Sequence, residues 1–155
     1  MSVANVDLAD GELLMDDVGE LIYRQITEHM MDGDQVASAA FGPYPVDNGM
    51  PSYSRSSVVD AQEARDWHNL YATSASLSVW AVSVGEVVET DRPTIDDSGT
   101  PVPAGKSRAP GHCYIDFRGL QPAMRKSVRG QLWFFAMDRG EIPTDEPARD
   151  GELFA

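Results

Sequence analysis

The stretch LSVWAVSV, residues 77–84, is the segment that decides how this sequence folds. Its residues alternate between two sides as in a β-strand, and both sides are mostly apolar. The two sides consist of Leu77, Val79 and Ala81, and of Trp80, Val82 and Val84. Such a pattern is typical of a central strand in a sheet that is covered on both faces. The sequence therefore predicts a sheet with other elements packed against each side.

Two helices are predicted around this strand. Asp60 can cap a helix start, and Glu63 stands in the capping-box position three residues later. Apolar side chains then recur at helical spacing, which predicts a helix over about 60–73. A second apolar stripe predicts a helix over about 122–138, with Pro122 in its first turn and Gly140 just past its end.

The remaining strands and loops are predicted from β-favouring runs and from turn residues. Strands are expected at Leu21–Ile26 and His112–Phe117, with an extended stretch at Val36–Phe41 and a short helix around Gly11–Val18. Loops are expected at 42–51 and, with four prolines and three glycines, at 90–111. Without strict βαβ order, these elements predict an α+β fold with a mixed or antiparallel sheet of four to five strands.

The acidity of the chain is concentrated at its two ends. The net charge is −13, and residues 1–35 contain nine acidic residues and one arginine, whereas residues 36–137 are almost neutral. We therefore predict an acidic leader over 1–20, one globular domain over 21–140 and an acidic, frayed tail over 141–155. An acidic start is unlike a secretory or transit peptide, and a single cysteine fits a reducing compartment, so a cytoplasmic protein is expected.

The strand around His112 carries the candidate acid–base chemistry. His112 and Asp116 share one strand face and could meet there, which suggests a hydrolase. Cys113, Ile115 and Phe117 share the opposite face, so Cys113 is expected to be core packing rather than a nucleophile.

Metal and nucleic-acid sites are not indicated. The histidines His29, His68 and His112 lack the close spacing of a zinc site, and His68 is expected to be a packed histidine with one hydrogen bond. Asp96 and Asp97 are expected to be solvated loop acids. The basic stretch between Lys106 and Arg129 is opposed by the acidity of the rest of the chain, which disfavours nucleic acid.

Spaced short motifs resemble those of a family of small uncharacterised bacterial proteins. The motifs are Tyr23-Arg24-Gln25, Ser38-Ala39-Ala40-Phe41-Gly42-Pro43, Pro110-Gly111-His112 and Ile115-Asp116-Phe117. The resemblance covers roughly residues 20–120 and implies no activity.

A second pattern resembles ADP-ribosyltransferases. Arg24, the run Ser52-Tyr53-Ser54 and Glu86 or Glu89 follow in the order of that family's arginine, Ser-Thr-Ser strand and glutamate. The resemblance implies NAD as cofactor, with Arg24 on its phosphates, Ser52 and Ser54 on its ribose and Glu86 as the catalytic carboxylate. Tyr53 stands where that family has threonine.

The leading functional prediction is a non-catalytic or accessory domain that binds a protein partner. The acidic ends suit a partner with a cationic surface. The NAD-consuming transferase and the hydrolase of His112 and Asp116 are the alternatives.

Overall fold

The computed structural model describes residues 7–145, and the fold is α+β as predicted. Six strands form one antiparallel sheet in the order β1-β7-β8-β5-β2-β6, so the predicted four to five strands were too few. These strands are β1 Leu13–Leu14, β2 Leu21–Ile26, β5 Ser52–Arg55, β6 Ser78–Ser83, β7 Thr94–Asp96 and β8 His112–Ile115. A small separate hairpin pairs β3 Met31–Asp32 with β4 Gln35–Val36.

Three α-helices accompany the sheet: α1 Ala61–Tyr71, α2 Val84–Glu89 and α3 Pro122–Arg139. The Asp60 carboxylate accepts a hydrogen bond from the Glu63 N–H at 2.8 Å, which confirms the predicted capping box of α1. The start of α3 at Pro122 is also confirmed, whereas α2 was not predicted. No helix within residues 7–145 has both the length and the apolar character that a membrane crossing requires.

Strand β6 is buried on both faces but lies at the edge of the sheet. Helix α3 contacts it on one side and α1 on the other, so the predicted double covering is confirmed. Its predicted central position is wrong, because only β2 pairs along its length. Beyond it, the Ile142 N–H donates to the Val79 carbonyl at 2.9 Å. Burial of the two faces and position in the sheet are independent properties of a strand.

The main core lies between one face of the sheet and α3. The Cys113 and Ile115 side chains and the nearby Phe117 are fully buried there, as predicted from strand alternation. Val128, Leu132 and Ala136 provide the helical side of this core. Met124, in the first turn of α3, is 53% exposed and takes no part in this core.

Parts of both acidic ends pack on the body of the protein. The prediction of a short helix around Gly11–Val18 is wrong, because Leu13 and Leu14 form a strand that pairs with β7. The segment predicted as extended over 36–41 also differs, because Ser38–Phe41 is a 3₁₀ turn. At the other end, the Asp145 N–H donates to the Gln62 side chain at 2.7 Å. Residues 146–155 of the predicted tail lie outside the described residues.

An ion-pair cluster joins the end of the leader to the sheet. The Arg55 guanidinium donates to both carboxylate oxygens of Glu20, at 2.8 and 3.0 Å, and to Asp96 at 2.7 Å. The hydrogen bond from Arg55 is the main reason that the pKa of Glu20 is lowered. Burial alone would raise the pKa of Asp96, but hydrogen bonds from Ser98 and Arg55 outweigh burial and lower it.

The lowered pKa of Glu20 predicts a contribution to stability that acid removes. A carboxyl group whose pKa is lower in the folded than in the unfolded state stabilises the fold at pH values above its unfolded-state pKa, here 4.5. This stabilisation is lost as the pH falls through the folded-state pKa. The free energy of unfolding, measured in urea at pH 7 and at pH 3, is therefore expected to fall less between the two pH values for Glu20→Gln than for the wild type. Equal losses in the two proteins would contradict this.

Candidate active site

Three strands direct polar side chains to the face of the sheet opposite α3. In the antiparallel pair of β5 and β8, Ser54 lies opposite His112 and Ser52 opposite Tyr114. Directly opposed residues of such a pair share a face, and residues two apart on one strand share it too. On the other side of β8, Asp96 lies opposite Cys113, so the next residue, Asp97, continues toward His112.

Ser52, His112 and Asp97 are joined by two hydrogen bonds. The Nε2 atom of His112 lies 2.9 Å from Ser52 Oγ, and its Nδ1 atom lies 2.6 Å from Asp97 Oδ1. In the neutral tautomer with its proton on Nδ1, the imidazole donates to Asp97 and accepts from the Ser52 hydroxyl. This is the order of nucleophile, base and orienting carboxylate that defines a catalytic triad.

The surroundings of these three residues leave Ser52 accessible and fix the backbone that carries Asp97. Ser52 is exposed, whereas the His112 and Asp97 side chains are 21% and 16% exposed. The Asp97 backbone begins a turn, since its carbonyl accepts from the Thr100 N–H at 3.0 Å and from the Thr100 hydroxyl at 2.7 Å. Asp97 is thus presented by a closed turn directly after β7.

A cavity of about 480 Å³ opens beside the triad, within the size range of small-molecule sites. Besides the triad, the sheet, α1 and the loop after β7 each contribute to its wall. The wall includes Tyr23, Ser54, Trp67, His68, Val102 and Lys106. His68 is packed as predicted and hydrogen-bonds through Nε2 to the Ser74 carbonyl at 2.7 Å. Burial lowers the pKa of His68.

Asp116 is not the partner of His112. Strand β8 ends at Ile115, and the Asp116 carboxylate accepts instead from the Arg118 guanidinium at 3.0 Å. Asp97, expected to be a solvated loop acid, takes the position beside His112. The second acid of that prediction, Asp96, is 93% buried in the ion pair with Arg55 and is not solvated either. No signal in the proline-rich segment distinguished Asp97 from its neighbours.

The residues of the predicted NAD site do not all meet. Arg24, Ser52 and Ser54 line the cavity. Glu86 instead helps to cap α2 and forms an ion pair with Arg139 at 2.8 Å, and neither it nor Glu89 is among the cavity residues. The Arg24 guanidinium donates to backbone carbonyls on the core side of the sheet, the shortest bond being 2.7 Å to Ala40.

The other candidate residues from the sequence are the possible metal ligands and Cys113. Within residues 7–145, no three His, Cys, Asp or Glu side chains are grouped so that they could hold a metal ion. Burial raises the pKa of the Cys113 thiol well above its usual value, which agrees with a packing role.

Comparisons of the chain with protein-family models, with curated proteins and with solved structures return no match. The geometry of Ser52, His112 and Asp97 is therefore the feature of this chain that bears on its function.

Proposed function

We propose that this chain is a serine hydrolase that cleaves small esters or amides by acyl transfer to Ser52. The observation that carries the proposal is the hydrogen-bonded series Ser52–His112–Asp97 at the wall of an open cavity. The hydrolase considered from the sequence keeps His112 as its base, with Asp97 replacing Asp116 as the orienting carboxylate.

The first step forms an acyl-enzyme. Ser52 Oγ attacks the substrate carbonyl carbon while His112 Nε2 takes the hydroxyl proton. Asp97 holds the imidazole in the required tautomer and stabilises the imidazolium that forms. When the tetrahedral intermediate collapses, the bond to the leaving group breaks and His112 returns the proton to that group.

The second step releases the acyl group. Water attacks the ester carbon at Ser52 while His112 again takes a proton, and Ser52 recovers its hydrogen as the carboxylic acid leaves. Ser54 lies opposite His112, lines the cavity and makes no side-chain hydrogen bond to another of residues 7–145. We assign its hydroxyl to the substrate carbonyl oxygen, where negative charge develops.

A fluorophosphonate probe tests the proposal directly. An activated serine displaces fluoride from this reagent and keeps the phosphonyl group, so the wild type is expected to gain one adduct. Intact mass and peptide mapping are expected to locate the adduct on Ser52 and to find none in Ser52→Ala or after prior unfolding in urea.

Ser127 provides the matched control, because its position in α3 is outside the cavity. Ser127→Ala is expected to be labelled like the wild type. Labelling that persists in Ser52→Ala, or that occurs equally in the unfolded chain, would contradict an activated Ser52.

The transferase using Arg24, Ser52, Ser54 and Glu86 and the protein-binding role of the acidic ends stay predictions. Of the three functions, the hydrolase alone has its proposed nucleophile, base and carboxylate within hydrogen-bonding distance among the described residues.

A further inference from the structure

The cavity beside Ser52 has an excess of positive charge in a strongly acidic protein. Its wall includes the cationic residues Lys106 and Arg108 but, of the acidic residues, only Asp97 within the described part of the chain; Arg24 also borders it, with its guanidinium on the opposite, core face of the sheet. The chain as a whole has a net charge of −13, so this local excess of cations opposes the general trend. A cavity with one sign of charge concentrates ligands of the opposite sign.

Neither Arg24 nor Arg108 has an acidic hydrogen-bond partner among residues 7–145. Arg24 donates to the carbonyls of Ala40, Gly42 and Ser52. Arg108 donates to the carbonyls of Ser98, Thr100 and Pro101 and to the Thr100 hydroxyl. Such bonds satisfy the N–H groups but cancel no net charge. The Arg24 guanidinium, however, is buried on the core face of the sheet, away from the cavity.

Lys106 is the cation that is free to meet a ligand. It lies in the loop between β7 and β8, is exposed, and its ammonium group has no hydrogen-bond or ion-pair partner among residues 7–145. Val102 and Pro103 precede it on the cavity wall, and Trp67 adds an aromatic surface. The wall therefore combines an apolar surface for a short carbon chain with an exposed positive charge.

We propose that the acyl group transferred to Ser52 carries a carboxylate, and that Lys106 binds this carboxylate with Arg108 as the neighbouring cation of the cavity wall. This inference rests on the proposed hydrolase activity and specifies its substrate class, the esters or amides of short dicarboxylic acids. Lys106 is a specificity residue that acts on substrate binding, whereas Ser52, His112 and Asp97 perform the chemistry.

Two chromogenic esters test the substrate class. The wild type is expected to hydrolyse mono-4-nitrophenyl glutarate, which has a free carboxylate, with a higher kcat/KM than 4-nitrophenyl acetate. Lys106→Gln is expected to raise KM for the glutarate ester about tenfold or more, because a charge-assisted hydrogen bond is lost, and to change KM for the acetate ester, which has no carboxylate, by a smaller factor. The matched control is Lys126→Gln, which changes an exposed α3 lysine outside this cavity.

Binding of glutarate itself separates this inference from the proposed function. Thermal shift is expected to show stabilisation of the wild type by glutarate and a weaker effect on Lys106→Gln. One outcome is that glutarate binding depends on Lys106 but neither ester is hydrolysed in a Ser52-dependent way. This result would support the anion site and overturn the proposed hydrolase. Two other outcomes would overturn the inference but not the hydrolase. One is Ser52-dependent hydrolysis of the acetate ester with no preference for the glutarate ester. The other is that Lys126→Gln raises KM for the glutarate ester as much as Lys106→Gln does.

Discussion

Replacing Asp97 with asparagine is expected to lower kcat for ester hydrolysis about 10⁴-fold while the protein stays folded. The Asp97 carboxylate accepts a hydrogen bond from the Nδ1–H of His112, with 2.6 Å between the two heavy atoms. An amide can present its N–H₂ to Nδ1, and the imidazole then adopts the tautomer with its proton on Nε2, which cannot take the Ser52 proton. Steady-state hydrolysis of 4-nitrophenyl acetate measures the loss, and circular dichroism checks the fold.

Asp116→Asn is the matched control, since it makes the same chemical change at the other carboxylate considered for His112. The Asp116 carboxylate contacts Arg118 and not His112, so kcat is expected to stay within about twofold of the wild type. A loss confined to Asp116→Asn, or equal losses in the two variants, would contradict the triad.

Arg55→Met is expected to destabilise the fold by about 3–5 kcal/mol, the largest stability effect predicted for this protein. The Glu20 and Asp96 side chains that pair with Arg55 are only 3% and 10% exposed. Methionine retains much of the aliphatic stem but leaves both carboxylates without their cation, and an unpaired buried charge is strongly unfavourable. The free energy of unfolding in urea at pH 7 measures the change.

The control for Arg55 is Arg118→Met, because Arg118 also pairs with one carboxylate but its side chain is 45% exposed. Its expected cost is smaller, about 1–2 kcal/mol, because a single carboxylate, 13% exposed, loses its cation, whereas Arg55→Met leaves two. Equal costs for the two variants would show that burial of the Glu20–Arg55–Asp96 cluster does not determine its contribution.

Local patterns accounted for much of the fold. The capping pair Asp60 and Glu63 placed the start of α1, and Pro122 and Gly140 bounded α3, since the signals for a helix end lie within a few residues of it. Alternation at Cys113 identified the core face of β8. The short strand β7 was missed because three residues in a proline- and glycine-rich segment form no periodic pattern.

The site was predicted only in part. His112 was a candidate because a histidine on a polar strand face can act as a base, and Ser52 was a candidate through a resemblance to another family. Asp97 was not connected to either, because its proximity to His112 depends on the pairing of β7 with β8. Asp116 was chosen instead, since a sequence shows separation along a strand but not the partners across a sheet.

The sequence by itself determined the α+β class, the two main helices, the buried face of β8 and the concentration of acid at the chain ends. These properties follow from periodicity, capping and composition, which are local. Only the tertiary structure decided that β6 is an edge strand, that Glu20 is buried against Arg55, and that Asp97 and Ser52 meet at His112. Those outcomes depend on strand order and register, which join residues distant in the chain and leave no local pattern.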